Sequence, residues 1–184
     1  MELFLSDVSD TLTSKDRRVR KTRTAILRAF SRLALTQSYE TIKVADIAEA
    51  ADVGRSTFYE HFSGRDAAHL EALKGPLSIM AGAADEIPDV DLIARLIGHY
   101  WEYRALARNT FSGPQRVRVL ALLTEMIEAK LPENAHNRRL IARQLAEGQA
   151  GLVRAWVSGE LQASAQDLAN TICDATRTSR NTSG

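Results

Sequence analysis

Arg55-Ser56-Thr57 open a short amphipathic stretch, Arg55 to His61, and Phe58 and Phe62 fall four residues apart within and just after it. Helical spacing puts the two phenylalanines on one face, and the first turn, Arg55-Ser56-Thr57, projects outward. A guanidinium and hydroxyls on one exposed turn suit hydrogen bonding to base edges or phosphates. Upstream, between Lys15 and Arg32, eight basic residues stand against one acid, Asp16. Such a run fits a polyanion contact at one end of the molecule, or simply a solvated helix face. A second group is His99-Tyr100-Trp101-Glu102-Tyr103-Arg104. Aromatic rings with polar tips suit a pocket for a mid-sized organic ligand, and Phe111 is a further wall candidate. Helical spacing places Tyr100 and Tyr103 near one face and makes His99 and Tyr103 an i,i+4 pair, although aromatics at helical spacing also serve as plain core.

Other chemistries find little support. There is no GxGxxG, GxxxxGK, CxxC or HExxH, and the histidines at 61, 69, 99 and 136 lack metal-ligand spacing. Cys173 lies on an apolar helical stripe, where a packed thiol is expected rather than a nucleophile. No catalytic residue, metal or cofactor is assigned, and the reading is of a protein that is not an enzyme.

The elements that must position these residues are helical. Ile26, Phe30, Leu33 and Ala34 mark a first helix from about Lys15 to Gln37, and Val44, Ile47, Ala48 and Ala51 mark a short second one. Asp52-Val53-Gly54 is a tight turn into the third, Arg55 to His61. Ser63-Gly64 precedes a fourth, which Gly75-Pro76 should bend or break. Pro88-Asp89 opens a helix to about Arg108, and Ser112-Gly113-Pro114 opens another that closes near Leu131-Pro132. Asn134 or Asn137 caps a long helix to Trp156 or Ser158, and Ser164 with Asp167 begins a last one through roughly Thr176. No segment alternates with period two, so the chain is all-α. A short helix, a three-residue turn and a second short helix form a helix-turn-helix.

The 184 residues carry 24 Lys+Arg and 23 Asp+Glu, a net charge of +1 that argues against a uniformly basic surface. One cysteine excludes an internal disulfide and fits a reducing, cytoplasmic location, and no apolar run reaches the length of a membrane span.

The stretch Thr41-Ile-Lys-Val-Ala-Asp-Ile-Ala-Glu-Ala-Ala-Asp-Val-Gly-Arg-Ser-Thr-Phe-Tyr-Glu-His-Phe62, followed by Ser63-Gly64-Arg65-Asp66, resembles the DNA-binding signature of TetR-type (TetR/AcrR) transcriptional regulators. The likeness extends back over Ile26, Leu27, Ala29, Phe30, Leu33 and Tyr39, and a weaker echo lies in 148–159. It implies a flexible arm over 1–14, a DNA-binding domain over 15–63, a ligand-binding and dimerisation body over 64–178 and a disordered tail over 179–184. It also implies a homodimer on a near-palindromic double-stranded operator, answering to a small organic effector. Carried over residue by residue, Arg55 and Ser56 reach bases, Thr57 a base or phosphate, and Lys43, Tyr59, His61 and Arg65 phosphates. The ligand set would be His99, Tyr100, Tyr103 and Phe111. The dimer face would be Ile141, Leu145, Gly148, Leu152 and Trp156 on one helix, with Leu168 and Ile172 on the next. Three departures stand out: Lys43 replaces a common Thr cap, Ala45 a common basic contact, and Gly54 the usual Ser or Thr cap. The competing expectation is an all-α small-molecule or partner-binding protein whose helix pair is only structural.

Overall fold

In the computed structural model, residues 14–37, 39–112 and 115–181 are described, and they are helical throughout with short turns between. The order is α1 (Ser14–Thr36), a 3-10 turn (Tyr39–Thr41), α2 (Val44–Ala50), α3 (Arg55–His61), α4 (Arg65–Ala81), a second 3-10 turn (Gly82–Ala84), α5 (Val90–Glu102), α6 (Arg104–Ser112), α7 (Arg116–Glu128), α8 (Arg138–Val157) and α9 (Ala165–Asn181). The expected arm lies, apart from Ser14, outside the described residues, as do Gly113, Pro114 and 182–184. No helix among those described is long and apolar enough to cross a membrane.

Two apolar cores result. In the first, Ile26, Phe30 and Ala34 of α1 close on Tyr39, Ile42, Ile47, Ala48, Phe58, Phe62 and Ala68. The larger one gathers the inner faces of α4 to α9, from Leu77 and Met80 to Ile172 and Cys173. α4 serves both, with Ala68 in the first core and Leu77, Met80 and Ala81 in the second, and it packs against both α1 and α7.

Several helix limits depart from the sequence expectation. α4 runs unbroken through Pro76. Gly75 precedes that proline and has no Cβ to meet its ring, which removes one of the clashes a proline brings into a helix. The helix expected from Pro88-Asp89 to Arg108 instead ends at Glu102, where Tyr103 leaves helical geometry at φ −112°, ψ 41°, and a separate α6 follows. α9 continues past Thr176 to Asn181, its extra turn supported by Thr178 and Ser179 hydroxyls that donate to the carbonyls of Asp174 and Ala175. The expected start of α9 is the observed one. Ser164 Oγ accepts from the Asp167 amide at 3.1 Å, and the Asp167 carboxylate accepts from the Ser164 amide at 3.2 Å. Asn137 precedes α8 in a left-handed conformation, φ 59°, without a side-chain cap.

Phe58 is fully buried in the smaller core. Phe58→Ala should therefore lower the free energy of unfolding by about 3–5 kcal/mol. Ile87, 89% exposed, is the contrast, and Ile87→Ala should stay within about 0.5 kcal/mol of wild type in the same urea titration.

Candidate nucleic-acid interface

The turn between α2 and α3 is built by backbone bonds. Val53 N donates to Ala48 O at 3.0 Å, and Asp52 takes a left-handed conformation, φ 55°. Aspartate is one of the few side chains that tolerate this region, which lets three residues reverse the chain. Gly54 then stands at the N-cap of α3 with extended backbone and no side chain to cap with. α2 is capped from the other direction: Lys43 offers no acceptor, but its amide donates to the Asp46 carboxylate at 2.9 Å.

α3 divides as its spacing requires. Phe58 and Phe62 face the core, their rings 5.8 Å apart, while Arg55, Ser56 and Tyr59 face solvent. Tyr59 stays 57% exposed although its ring meets the edge of Phe58 at 5.6 Å, so it packs at its root and presents its hydroxyl outward. Thr57 and His61 are half-buried, and Lys43 is exposed at the start of α2. Arg55, Ser56, Tyr59 and Lys43 are thus all exposed on the helix pair.

Arg65 has a more internal setting than its neighbours. Its Nη1 donates to the backbone carbonyls of Tyr39, Glu40 and Ile42 at 3.1, 3.2 and 3.2 Å, and its guanidinium lies 4.3 Å over the Tyr39 ring. These bonds bind the start of α4 to the segment before α2. Arg23 does similar work, its Nη1 donating to the His61 carbonyl at 3.1 Å while its guanidinium sits 4.4 Å over Phe62. Arg32 donates to the Ala50 carbonyl at 3.0 Å. Two members of the basic run therefore cap the C-terminal ends of α2 and α3, where cations are favoured. Spacing gave no sign of this, because the partner carbonyls lie 38 and 18 residues away. Arg17, Arg18, Arg20, Lys21 and Arg28 are exposed.

Beneath Arg65 is a polar knot. The Tyr39 hydroxyl donates to Asp66, and burial together with that bond pushes its phenol up to about 12. The Tyr39 hydrogen bond, with help from Gln115 and nearby arginines, holds the Asp66 carboxyl below the usual range. His69 lies 4.6 Å from Tyr39 and 5.3 Å from Phe30, ring to ring, and burial pulls its imidazole down to about 4.

The body residues chosen from sequence separate into groups. Tyr100 points inward and meets the edge of buried Phe111 at 5.6 Å, and burial raises its phenol. His99 and Tyr103 meet at 4.6 Å with their rings tilted, but on the exposed side, so Tyr100 and Tyr103 do not share a face as expected. Gln149 was missed altogether: it is 3% exposed within the body core, and neither end of its amide has a hydrogen-bond partner among the described residues. On α8 and α9, Leu145, Trp156, Leu168 and Ile172 are buried within the protomer, Ile141 and Leu152 are half-buried, and Gly148 is exposed. A Cβ added at Gly148 or Gly151 meets nothing within 4 Å.

Residues 26–68 match bacterial regulatory proteins of the tetR family. The HTH-type transcriptional regulator TcmR of Streptomyces glaucescens is 35% identical over 86 residues, a stretch that takes in 38% of this chain and 38% of that protein. The match therefore spans well under half of TcmR. Among solved structures, a TetR transcriptional regulator from Rhodococcus sp. RHA1 matches with a TM-score of 0.59 at 14% identity, covering 90% of this chain and 98% of that one. One from Streptococcus agalactiae 2603V gives 0.57 at 20% identity over 88% and 97%. The TetR-family repressor FadR of Thermus thermophilus, solved with lauroyl-CoA, gives 0.53 at 18% identity over 84% and 93%. At these identities the structures establish a common fold.

His69 makes stability depend on pH. The unfolded imidazole takes up a proton near pH 6.5, whereas the folded one stays neutral down to about 4. Its contribution is therefore complete above pH 6.5 and is lost as pH falls from there towards 4, on the order of 3 kcal/mol in all. His69→Leu should flatten the dependence of the urea midpoint in that window and leave the steeper carboxylate-driven loss below pH 4.

Proposed function

We infer that this chain belongs to the tetR family of bacterial regulatory proteins, whose model matches residues 26–68, and that it is a transcriptional regulator that reads double-stranded DNA with α3 and acts as a ligand-responsive repressor. The observation that carries this reading is the division of α3: Phe58 and Phe62 anchor it while Arg55, Ser56 and Tyr59 stand outward on one side. Arg55 has the fork needed for guanine O6 and N7, a contact worth about 1–3 kcal/mol of discrimination. Ser56 and Thr57 add shorter-range contacts, while Lys43, Tyr59 and His61 serve phosphates. Arg65 shares its charge between the carbonyls it binds and the nearest phosphate.

Specific binding asks for two copies. The exposed backbone at Gly148 and the half-buried Ile141 and Leu152 make α8 the favoured seam of a homodimer, with α9 beside it. Two-fold pairing would set two α3 helices about 34–36 Å apart, one DNA turn, and so select a near-palindrome. The body is the place for a small organic effector. The inward Tyr100–Phe111 pair and the unpartnered amide of Gln149 support an amphipathic ligand there. Such a ligand shifts the balance between DNA-competent and incompetent dimers only by its differential affinity for the two.

Selection of genomic fragments on the purified protein tests the DNA reading. Wild type should enrich a shared near-palindrome, and affinity should fall with salt as phosphate neutralisation requires. Tyr59→Phe should weaken all sequences alike, and Arg55→Ala should also relax the preference at one position in each half-site. A salt slope near zero with no enrichment would instead favour the structural reading of the helix pair.

The dimer is tested at Gly148. Its added Cβ meets open space, so Gly148→Arg should leave the fold of the protomer intact. Sedimentation equilibrium should show wild type as a dimer and the variant as a monomer of unchanged thermal stability per chain, with operator affinity reduced.

A further inference from the structure

Two residues at the start of α7 reach across to the first turn of α4. Gln115 Nε2 donates to Asp66 Oδ2 at 3.0 Å, and Arg118 Nη1 donates to the same oxygen at 3.0 Å. The other oxygen, Oδ1, accepts the Tyr39 hydroxyl and lies 3.5 Å from Arg65 Nε. One carboxylate thus divides its acceptors, with the body on Oδ2 and the segment before α2 on Oδ1. Arg65, next in sequence, continues the connection by donating to the carbonyls of Tyr39, Glu40 and Ile42. Ile42 immediately precedes Lys43, the N-cap of α2.

Apolar packing between helices tolerates small sliding, whereas hydrogen bonds weaken steeply once misaligned. A shift of α7 by an ångström or two must therefore drag Asp66 with it or break its bonds. Gln115 is 8% exposed, so solvent is poorly placed to replace a lost bond there. On the receiving side the ring of Tyr39 packs edge-on against Phe30 and tilted against His69, which itself stacks on Phe30.

We propose that Asp66 is the positioning residue through which the body sets the placement of the α2–α3 pair. Displacement of α7 passes through Gln115 and Arg118 to the Asp66 carboxylate, then through the Tyr39 hydroxyl and the Arg65 carbonyl bonds to α2. The coupling is a property of the free protein. Its regulatory meaning rests on the reading of α2 and α3 as the DNA-binding element.

Hydrogen exchange followed by mass spectrometry on the full chain tests it. Tyr39→Phe removes one hydroxyl and keeps the ring stack. In an otherwise wild-type chain it should speed exchange of the α7 amides, residues 116–124, by about three- to tenfold. In a Gln115→Leu, Arg118→Ala background it should add nothing in α7, while still loosening residues 39–50. A merely structural tyrosine would loosen its own surroundings equally in both backgrounds without reaching α7. No change in α7, or the same change in both backgrounds, overturns the proposal. Should the double variant fail to fold, Arg118→Ala alone, at an exposed position, provides the body-side cut and should reduce the effect on α7. A second arm adds the enriched duplex. In wild type it should slow exchange in both α3 and α7, and in the double variant in α3 only; equal slowing of α7 in both overturns the relay. If no duplex binds wild type, the regulatory reading fails, and the free-protein cycle still decides the coupling.

Discussion

A seven-residue helix makes too few internal hydrogen bonds to hold its own shape, so α3 is oriented entirely by what surrounds it. Phe58 and Phe62 fix its inner face, and the Arg23 guanidinium fixes its last carbonyl while covering Phe62. Gly54, with no side-chain cap, leaves the entry to α3 dependent on the backbone turn from α2. α2 is equally short and is held in the same way, by Ile47 and Ala48 in the core and by Arg32 at the Ala50 carbonyl. The outward side chains of α3 inherit their placement from these contacts. A change in the small core is therefore felt where no core residue is exposed.

That core is too small to stand far from the rest of the chain. A module of about 50 residues sits near the lower limit for folding without a metal or a disulfide. Here α4 is common to both cores, contributing Ala68 to one and Leu77, Met80 and Ala81 to the other. Its continuity through Pro76 keeps both contributions on one helix. The missing donor is tolerated because the residues just beyond it, Leu77 and Met80, are fully buried. What the helix axis cannot specify is rotation and tilt relative to α7. Polar contacts at its first turn, converging on Asp66, supply that.

The legible part of the molecule is the part set by local spacing. Phe58 and Phe62 at i,i+4, the turn at Asp52-Val53-Gly54 and the Ser164–Asp167 pair each declare themselves within four residues. Tyr103 does not. It is followed by neither Gly nor Pro, and the inward positions Tyr100, Ala107 and Phe111 keep helical phase straight across it. The backbone bonds Tyr103 N to His99 O and Ala107 N to Tyr103 O survive on either side, so the break is a local change of dihedral that no residue type announces. The stripe on α8 has more than one use within the protomer. That helix packs against α6, α7 and α9, so its apolar arc is wide, and Leu145 and Trp156 belong to the protomer interior. Asp66 was invisible because its body partners lie 49 and 52 residues away.

Charge follows the same division. The body neutralises itself: Glu147 takes both Arg116 and Arg143, Lys130 meets Asp85, Arg139 meets Glu128, and Arg154 meets Glu160. Exposed pairs of this kind contribute little to stability, but each cancels its own field beyond a few ångströms. The basic run of α1 is apportioned otherwise. Arg23 and Arg32 are spent on helix ends, while Arg17, Arg18, Arg20, Lys21 and Arg28 remain exposed. Arg23 binds at the C-terminal end of α3, at the His61 carbonyl. Within a chain of net charge +1, the described part of α1 therefore concentrates exposed positive charge. Such a concentration of charge is the kind that orients an incoming polyanion before any side chain makes contact.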